Sequence, residues 1–283
     1  MNKLVCIVGP TATGKTAKAI ELSKEKPSII ISADSRQVYR GMDIVTGKDH
    51  PHGVSIYGID IVEPDQPISV AVWYDSVMPH INQAWADDKQ VILVGGTGLY
   101  VKALTNGIET MGVEIDQSLR DGLAPLSITE LQARLKALDL PKFESMNASD
   151  SFNPRRLIRA IEISLSRVEL QRTDLCKITS KMIGLKYFDD SNHRSKIRDR
   201  VSARIASGAI DETKSLLERY PQSLQSMSAI GYKSIVKYLK GEYSKDQMID
   251  TWLGDEMAYV KRQMTWFRKQ PVIWYDIDKY GNK

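Results

Sequence analysis

The stretch GPTATGKT, Gly9 to Thr16, has the residues and the spacing to hold a polyphosphate. Gly9, Gly14, Lys15 and Thr16 satisfy G-x-x-x-x-G-K-[ST], with an apolar run before the loop and a helical pattern after it. Glycines let the backbone wrap closely around an anion, so that successive N–H groups point inward. The following helix adds partial positive charge, Lys15 adds a full one, and the Thr16 hydroxyl can join the shell of a Mg²⁺ ion. A second candidate is Asp34, which follows the apolar run Ile29–Ser32. Strands of a parallel sheet present their carboxyl ends to the ligand crevice, which puts this carboxylate near the phosphates. There it suits a general base, or a metal ligand acting through water; a turn or capping role is the structural alternative. The third candidate is GGTG, Gly95 to Gly98, where Thr97 is the one side-chain donor. Its glycines suit close approach to a ligand, and equally a tight strand-to-helix turn. ATP- and GTP-hydrolysing proteins with such a loop usually carry an acidic residue at the end of a second core strand. Here the run VILV leads into GGTG without one. The four histidines have no metal-ligand spacing; His50 and His52 flank Pro51 as structural or solvated residues, and no zinc site is expected.

These residues need strands to carry them. Leu4–Val8, Ile29–Ser32, Val91–Val94, Ile183–Phe188 and Val272–Tyr275 read as strands, and the continuous apolarity of the early ones fits burial on both faces. Helices are expected over Lys15 to about Glu25 and over Val70 to about Asp87, the latter kinked or broken at Pro79. From Val113 the pattern turns helical. Asn153 caps a strong helix running to Leu165, a second block spans Arg194–Tyr220 with a break near Gly208, and a last one spans Lys245–Lys269. The expected architecture is α/β: a P-loop NTPase-like parallel sheet core over 1–112 and 176–283, with a helical insertion domain over 113–175.

Composition allows this. The chain has 283 residues, 42% hydrophobic and 26% charged, so it can fill a core. Two cysteines, Cys6 and Cys176, suit a reducing, cytoplasmic setting. No run approaches the length needed to span a bilayer. The net charge of +4 is unevenly spread: Ser151–Arg204 holds 13 Lys/Arg against 6 Asp/Glu. Such a segment suits an anionic partner, nucleic acid first, or a solvated helix face.

Taken in order, GPTATGKT, ISADSRQVYRGMDIVTGK, ILVGGTGLYVKAL, NPRRLIRAIEI, AIGYK and YVKRQMTWFRK resemble the bacterial tRNA dimethylallyltransferases, also called tRNA isopentenyltransferases. The resemblance runs from Leu4 to about Tyr275. It implies transfer of a dimethylallyl group from dimethylallyl diphosphate to N6 of adenosine 37, beside the anticodon, with release of diphosphate and no use of ATP. By position, Gly9, Pro10, Thr11, Ala12, Thr13, Gly14, Lys15 and Thr16 would cradle the diphosphate, with Mg²⁺ on Thr16 and with Arg204 as a further ligand beside Arg200. Asp34 would take the N6 proton, and Thr97 would stand at the reaction channel with Lys15. Asp34, Ser35, Arg36 and Gln37 match the strip that meets the target base. Arg120, and Pro154, Arg155, Arg156, Leu157 and Ile158, match segments that contact the tRNA anticodon stem-loop. The aromatics of YVKRQMTWFRK face RNA or pack the last helix on the core. A monomer is expected.

The chain departs from the family in places. Arg36 replaces a neutral residue, Val45 a glycine, and Glu256–Met257 a Thr-Arg pair; the stretch after the Asn153 helix lacks a small-residue pattern, and the insertion is short. Three other readings stand beside the tRNA enzyme: an isopentenyltransferase acting on free AMP, ADP or ATP, a small-molecule kinase on the same phosphate loop, and an inactive RNA-binding relative.

Overall fold

The computed structural model describes residues 3–49, 51, 53–166 and 178–279. His50, His52, Cys176 and most of the stretch after the Asn153 helix lie outside them. The chain divides into two compact units, 1–106 with 176–283, and 107–175. The second unit thus takes in Gly107–Gly112, ahead of the change of pattern at Val113.

The first unit is built on one sheet of parallel strands: β1 (Lys3–Val8), β2 (Ser28–Ala33), β3 (Ile56–Tyr57), β4 (Gln90–Gly95), β5 (Thr179–Lys186) and β6 (Val272–Asp276). Their order across the sheet is β3-β2-β4-β1-β5-β6. Cys6 of β1 faces Leu93 on one side and Met182 on the other, so the apolar run of β1 is enclosed from both edges. One core layer gathers Ile7, Ile30, Ile92, Val94 and Leu185 with Ala19 of α1 (Lys15–Ser23). In α2 (Val70–Ala86) the indole of Trp73 donates to the Ser32 carbonyl and stacks on Tyr100 of α3 (Gly98–Thr105). Because the strands run in parallel, Val8, Ala33, Gly95 and Lys186 all end on one side of the sheet, and the loops that follow them share that side.

One expectation narrows and another changes. The helix α2 continues through Pro79, so of the kink or break expected there the break is absent. Proline gives no N–H to the carbonyl of Asp75, but both residues are exposed, so water can take that bond. The strand β5 begins at Thr179 rather than Ile183, because β1 is paired along its whole length from Lys3 opposite Thr179. It ends at Lys186, where the chain turns into α9 (Asp190–Ala206), capped by Asp189. A left-handed Gly208 (φ 99°) separates α9 from α10 (Ala209–Arg219). Helices α11 (Tyr232–Leu239) and α12 (Lys245–Phe267) complete this unit.

The second unit is helical: α4 (Gln117–Leu123), α5 (Ile128–Leu138), α6 (Leu140–Glu144), α7 (Ala148–Ser151) and α8 (Pro154–Leu165). Its core is Leu123, Leu131, Leu135, Leu157, Ala160 and Ile161. Side chains close the helix starts: Asp116 caps α4, Ser127 and Glu130 form a capping box on α5, and Asn153 caps α8.

Candidate active site

The phosphate loop leaves β1 at Gly9, whose φ of 134° and close approach to β5 admit no side chain: a Cβ there would lie 2.2 Å from the Leu185 carbonyl oxygen. Ala12 is left-handed (φ 61°), an uncommon conformation for a residue with a Cβ and a local sign of strain at a functional turn. The turn closes on the carbonyl of Pro10, which accepts from Thr13 Oγ1 at 2.9 Å and from the Lys15 ammonium. Burial, and then the charge of Arg200, hold the Lys15 ammonium down at about 7, against the opposing pull of Asp34 and Glu256.

Helix α9 lays His193 and Arg200 against this loop and carries Arg204 one turn further on. His193 bonds through Nε2 to the Thr11 carbonyl at 2.8 Å and stacks on Tyr187. Arg200 donates to the Thr11 hydroxyl at 2.6 Å. Arg204, 8% exposed, pairs with Glu256 of α12 at 3.4 Å. Burial and then Arg200 lower the Arg204 guanidinium to about 10, so it remains charged at neutral pH. Gly47 (φ 65°) passes beneath both arginines, where a Cβ would come within 2.3 Å of Arg204 and 2.8 Å of Arg200.

Asp34 follows β2, and its Oδ1 accepts the Arg36 N–H at 2.9 Å. The Thr97 hydroxyl accepts the Ser35 N–H at 3.0 Å, tying the turn after β4 to the residue beside Asp34. Burial, and then the charge of Asp34, push the phenol of Tyr259 on α12 up to about 12. Lys15, Thr16, Asp34, Arg200, Arg204 and Tyr259 all line one cavity of about 890 Å³, a size that suits a small ligand and the end of a larger one.

Other expected site residues have more local roles. Both ends of the Gln37 amide are engaged: Nε2 donates to the Gly47 carbonyl at 3.0 Å and Oε1 accepts from Ser32 at 2.8 Å. Arg36 reaches the Gln225 carbonyl at 3.3 Å. The glycines around Thr97 make room for protein rather than ligand. A Cβ on Gly96 would meet the Gln263 amide at 1.9 Å, and one on Gly98 the Trp266 indole at 2.3 Å. Trp266 and the fully buried Phe267 therefore pack α12 on the core, whereas Tyr259 turns into the cavity. In the helical unit Arg155 and Arg156 are exposed beside the N-terminus of α8. Leu157 is 0% exposed in that unit's core, so its side chain has no surface to offer RNA, correcting the expectation drawn from NPRRL. The fork of Arg120 is turned onto the buried Glu162, at 2.9 and 2.8 Å.

Sequence reasoning missed Gln263, His193 and Glu212. Glu212 accepts the N–H groups of Asp43, Ile44 and Val45 at 2.9, 2.6 and 3.1 Å, together with the Tyr232 hydroxyl at 2.7 Å. Beside it the Lys48 ammonium is wholly enclosed by Asp43, Asp60 and the Tyr39 carbonyl. Val45 itself is buried over Gly231, where a Cβ would come within 2.7 Å of it. The available signal for His193 was its spacing of two helical turns from Arg200 on α9.

The family described as IPPT, IPP transferase, matches residues 37–270 of the chain. A tRNA dimethylallyltransferase of Exiguobacterium sp. is 36% identical over 98% of this chain and 91% of its own length. That of Halalkalibacterium halodurans is 37% identical over 98% and 91%. Among solved structures, the tRNA isopentenylpyrophosphate transferase of Bacillus halodurans has a TM-score of 0.71 at 36% identity, covering 98% of this chain and 90% of that one. A eukaryotic dimethylallyltransferase acting on tRNA has a TM-score of 0.81 at 23% identity, which shows a common fold. Phosphate loop, strand-end aspartate and C-terminal helix thus sit in a chain that matches its relatives along nearly its whole length, and it belongs to the IPP transferase family.

Proposed function

We propose that the chain transfers a dimethylallyl group from dimethylallyl diphosphate to N6 of adenosine 37 in tRNA. The observation that carries the reading is one cavity lined both by the cations of the phosphate loop and α9 and by a single strand-end carboxylate, Asp34. The loop and Lys15 hold the diphosphate, with Arg204 on its far side and Arg200 steadying the loop through Thr11. The lone pair of N6 attacks C1 of the prenyl group, the C1–O bond breaks, and its electron pair leaves on the diphosphate. Fixed cations offset the charge that grows there, the kind of preorganised stabilisation that lowers such barriers most. Asp34 takes the N6 proton, since an aromatic amine is a weak nucleophile until that proton has somewhere to go. Thr97 holds the Ser35 amide, and so the turn that presents Asp34.

Among the described residues no three acidic, imidazole or thiol groups converge into a metal cage. The donor set that does line the cavity, the Thr16 hydroxyl with Asp34 nearby, fits a hydrated Mg²⁺ carried in on the diphosphate. Bound there, the ion would add positive charge against the departing diphosphate. The tRNA is gripped through Arg155, Arg156 and other cations of the basic segment, with the target base drawn out of its stack. The setting is cytoplasmic; among the described residues no helix is long and apolar enough to cross a membrane.

The test is incubation with labelled dimethylallyl diphosphate, Mg²⁺ and either tRNA or AMP. Label should enter tRNA without ATP; label in AMP alone would move the acceptor assignment to free nucleotides. Asp34→Asn keeps the Oδ1 contact with Arg36 but cannot take a proton. It should slow transfer about 10²-fold or more with donor affinity retained; near-normal turnover would remove Asp34 from this role.

A further inference from the structure

Thr11 lies in the middle of the phosphate loop, and each of its polar groups has a partner from outside the loop. Its hydroxyl accepts from Arg200 at 2.6 Å, its carbonyl bonds to His193 Nε2 at 2.8 Å, and its N–H donates to Gln263 Oε1 at 3.0 Å. Gln263 then goes on to a second part of the site. Its Nε2 donates to the Gly96 carbonyl at 3.2 Å, and the residue is 5% exposed. Gly96 is bonded to Thr97, Thr97 holds the Ser35 N–H, and Ser35 follows Asp34. A short path therefore joins the phosphate loop to Asp34, and one carboxamide on α12 is its bridge.

We infer that Gln263 is a positioning residue for the transfer: its carboxamide sets the spacing between the loop that holds the leaving group and the turn beside the base. The inference rests on the reading of the site given above. The chemistry singles out an amide. The bridge needs an acceptor toward Thr11 and a donor toward Gly96, both shielded from water. A carboxylate only accepts and a thioether gives no donor, whereas an amide does both. Without it, a buried N–H and a buried carbonyl lose their partners, and the two turns are free to move apart. Because reaction rates fall steeply with misalignment, a shift of about 1 Å is enough to matter.

The experiment compares Gln263→Met and Gln263→Glu with the unmodified chain, using labelled dimethylallyl diphosphate and tRNA. Single-turnover rate and donor dissociation constant are measured separately, the latter at equilibrium. Gln263→Met should transfer about 10²-fold more slowly, with the donor constant changed by no more than about threefold. Gln263→Glu should be as slow at about pH 8, where its carboxylate repels the Gly96 carbonyl. As pH falls, its protonated form regains one O–H donor and one carbonyl acceptor, so its rate relative to the unmodified chain should climb. The Gln263→Met ratio should stay flat over the same range. That pH response is not expected of a merely structural residue, and it keeps the test open if Gln263→Met does not fold. A parent-like rate in Gln263→Met, a flat ratio in Gln263→Glu, or a rate loss matched by an equal loss of donor affinity would overturn the inference. If the unmodified chain transfers nothing, the reading of the site fails; if it transfers and the variants keep pace, only the role of Gln263 fails.

Discussion

Lys15 is the residue where charge and burial meet most directly. Partly buried at the wall of the cavity and beside Arg200, its ammonium sits at about 7 against an ordinary 10.5. Near neutrality the free protein therefore holds this proton only part of the time, and an arriving diphosphate must restore it. The sign follows. Below about 7 the ammonium is already charged and binding takes up no proton; above it, donor affinity should fall about tenfold per pH unit until the bound-state value is passed. Calorimetry of donor binding near pH 8, in buffers of different ionisation enthalpy, should register close to one proton taken up. Lys15→Arg should register close to none, because a guanidinium stays charged throughout. At this scale the sequence was legible where chemistry is written in neighbouring residues. Lys15, Asp34 and Thr97 announce themselves by their place after apolar runs. Gln263 does not, and His193 is marked only by its helical spacing from Arg200: their partners in the phosphate loop are 252 and 182 positions away.

Helix α8 makes the case for elements. Its Glu162 is 3% exposed, and it takes the Arg120 fork, the Arg159 guanidinium and the Asp116 N–H. Burial raises the carboxyl, but these donors outweigh it and leave it at about 2. Its folded value lies below the ordinary 4.5, so the stabilisation is present above that pH and is lost as pH falls through about 2. Arg120→Ala leaves the buried charge short of a partner and should cost about 3 kcal/mol at neutral pH. Denaturant unfolding checks this, and the variant and the unmodified chain should converge as the medium approaches pH 2. The sequence placed α8 to the residue, since Asn153 and Pro154 mark its start and apolar periodicity carries it. It did not place β3, two residues long, or the true start of β5, because both are set by the strand alongside rather than by their own side chains. Nor did the motif around Arg120 reveal that its partner would be a carboxylate on α8.

For the molecule as a whole, the uneven spread of charge is the property with measurable reach. Ser151–Arg204 carries 13 cations against 6 anions, while the chain's total is only +4. Binding of tRNA through phosphates releases counterions, so a log–log plot of affinity against salt should fall with a slope of about −3 or steeper. Replacing Arg155 and Arg156 together by alanine should flatten that slope by about 2. An unchanged slope would move the RNA grip to other cations.

The backbone from Tyr39 to Lys48 belongs to no helix and, one isolated bridge at Tyr39 apart, to no strand, yet it is fastened on two sides, by Glu212 across successive amides and by Lys48 in its sealed nest. Irregular segments usually absorb inserted or deleted residues at little cost. This one has no such slack: adding a residue would slide every amide off its carboxylate and tilt Gly47 out from under the two arginines.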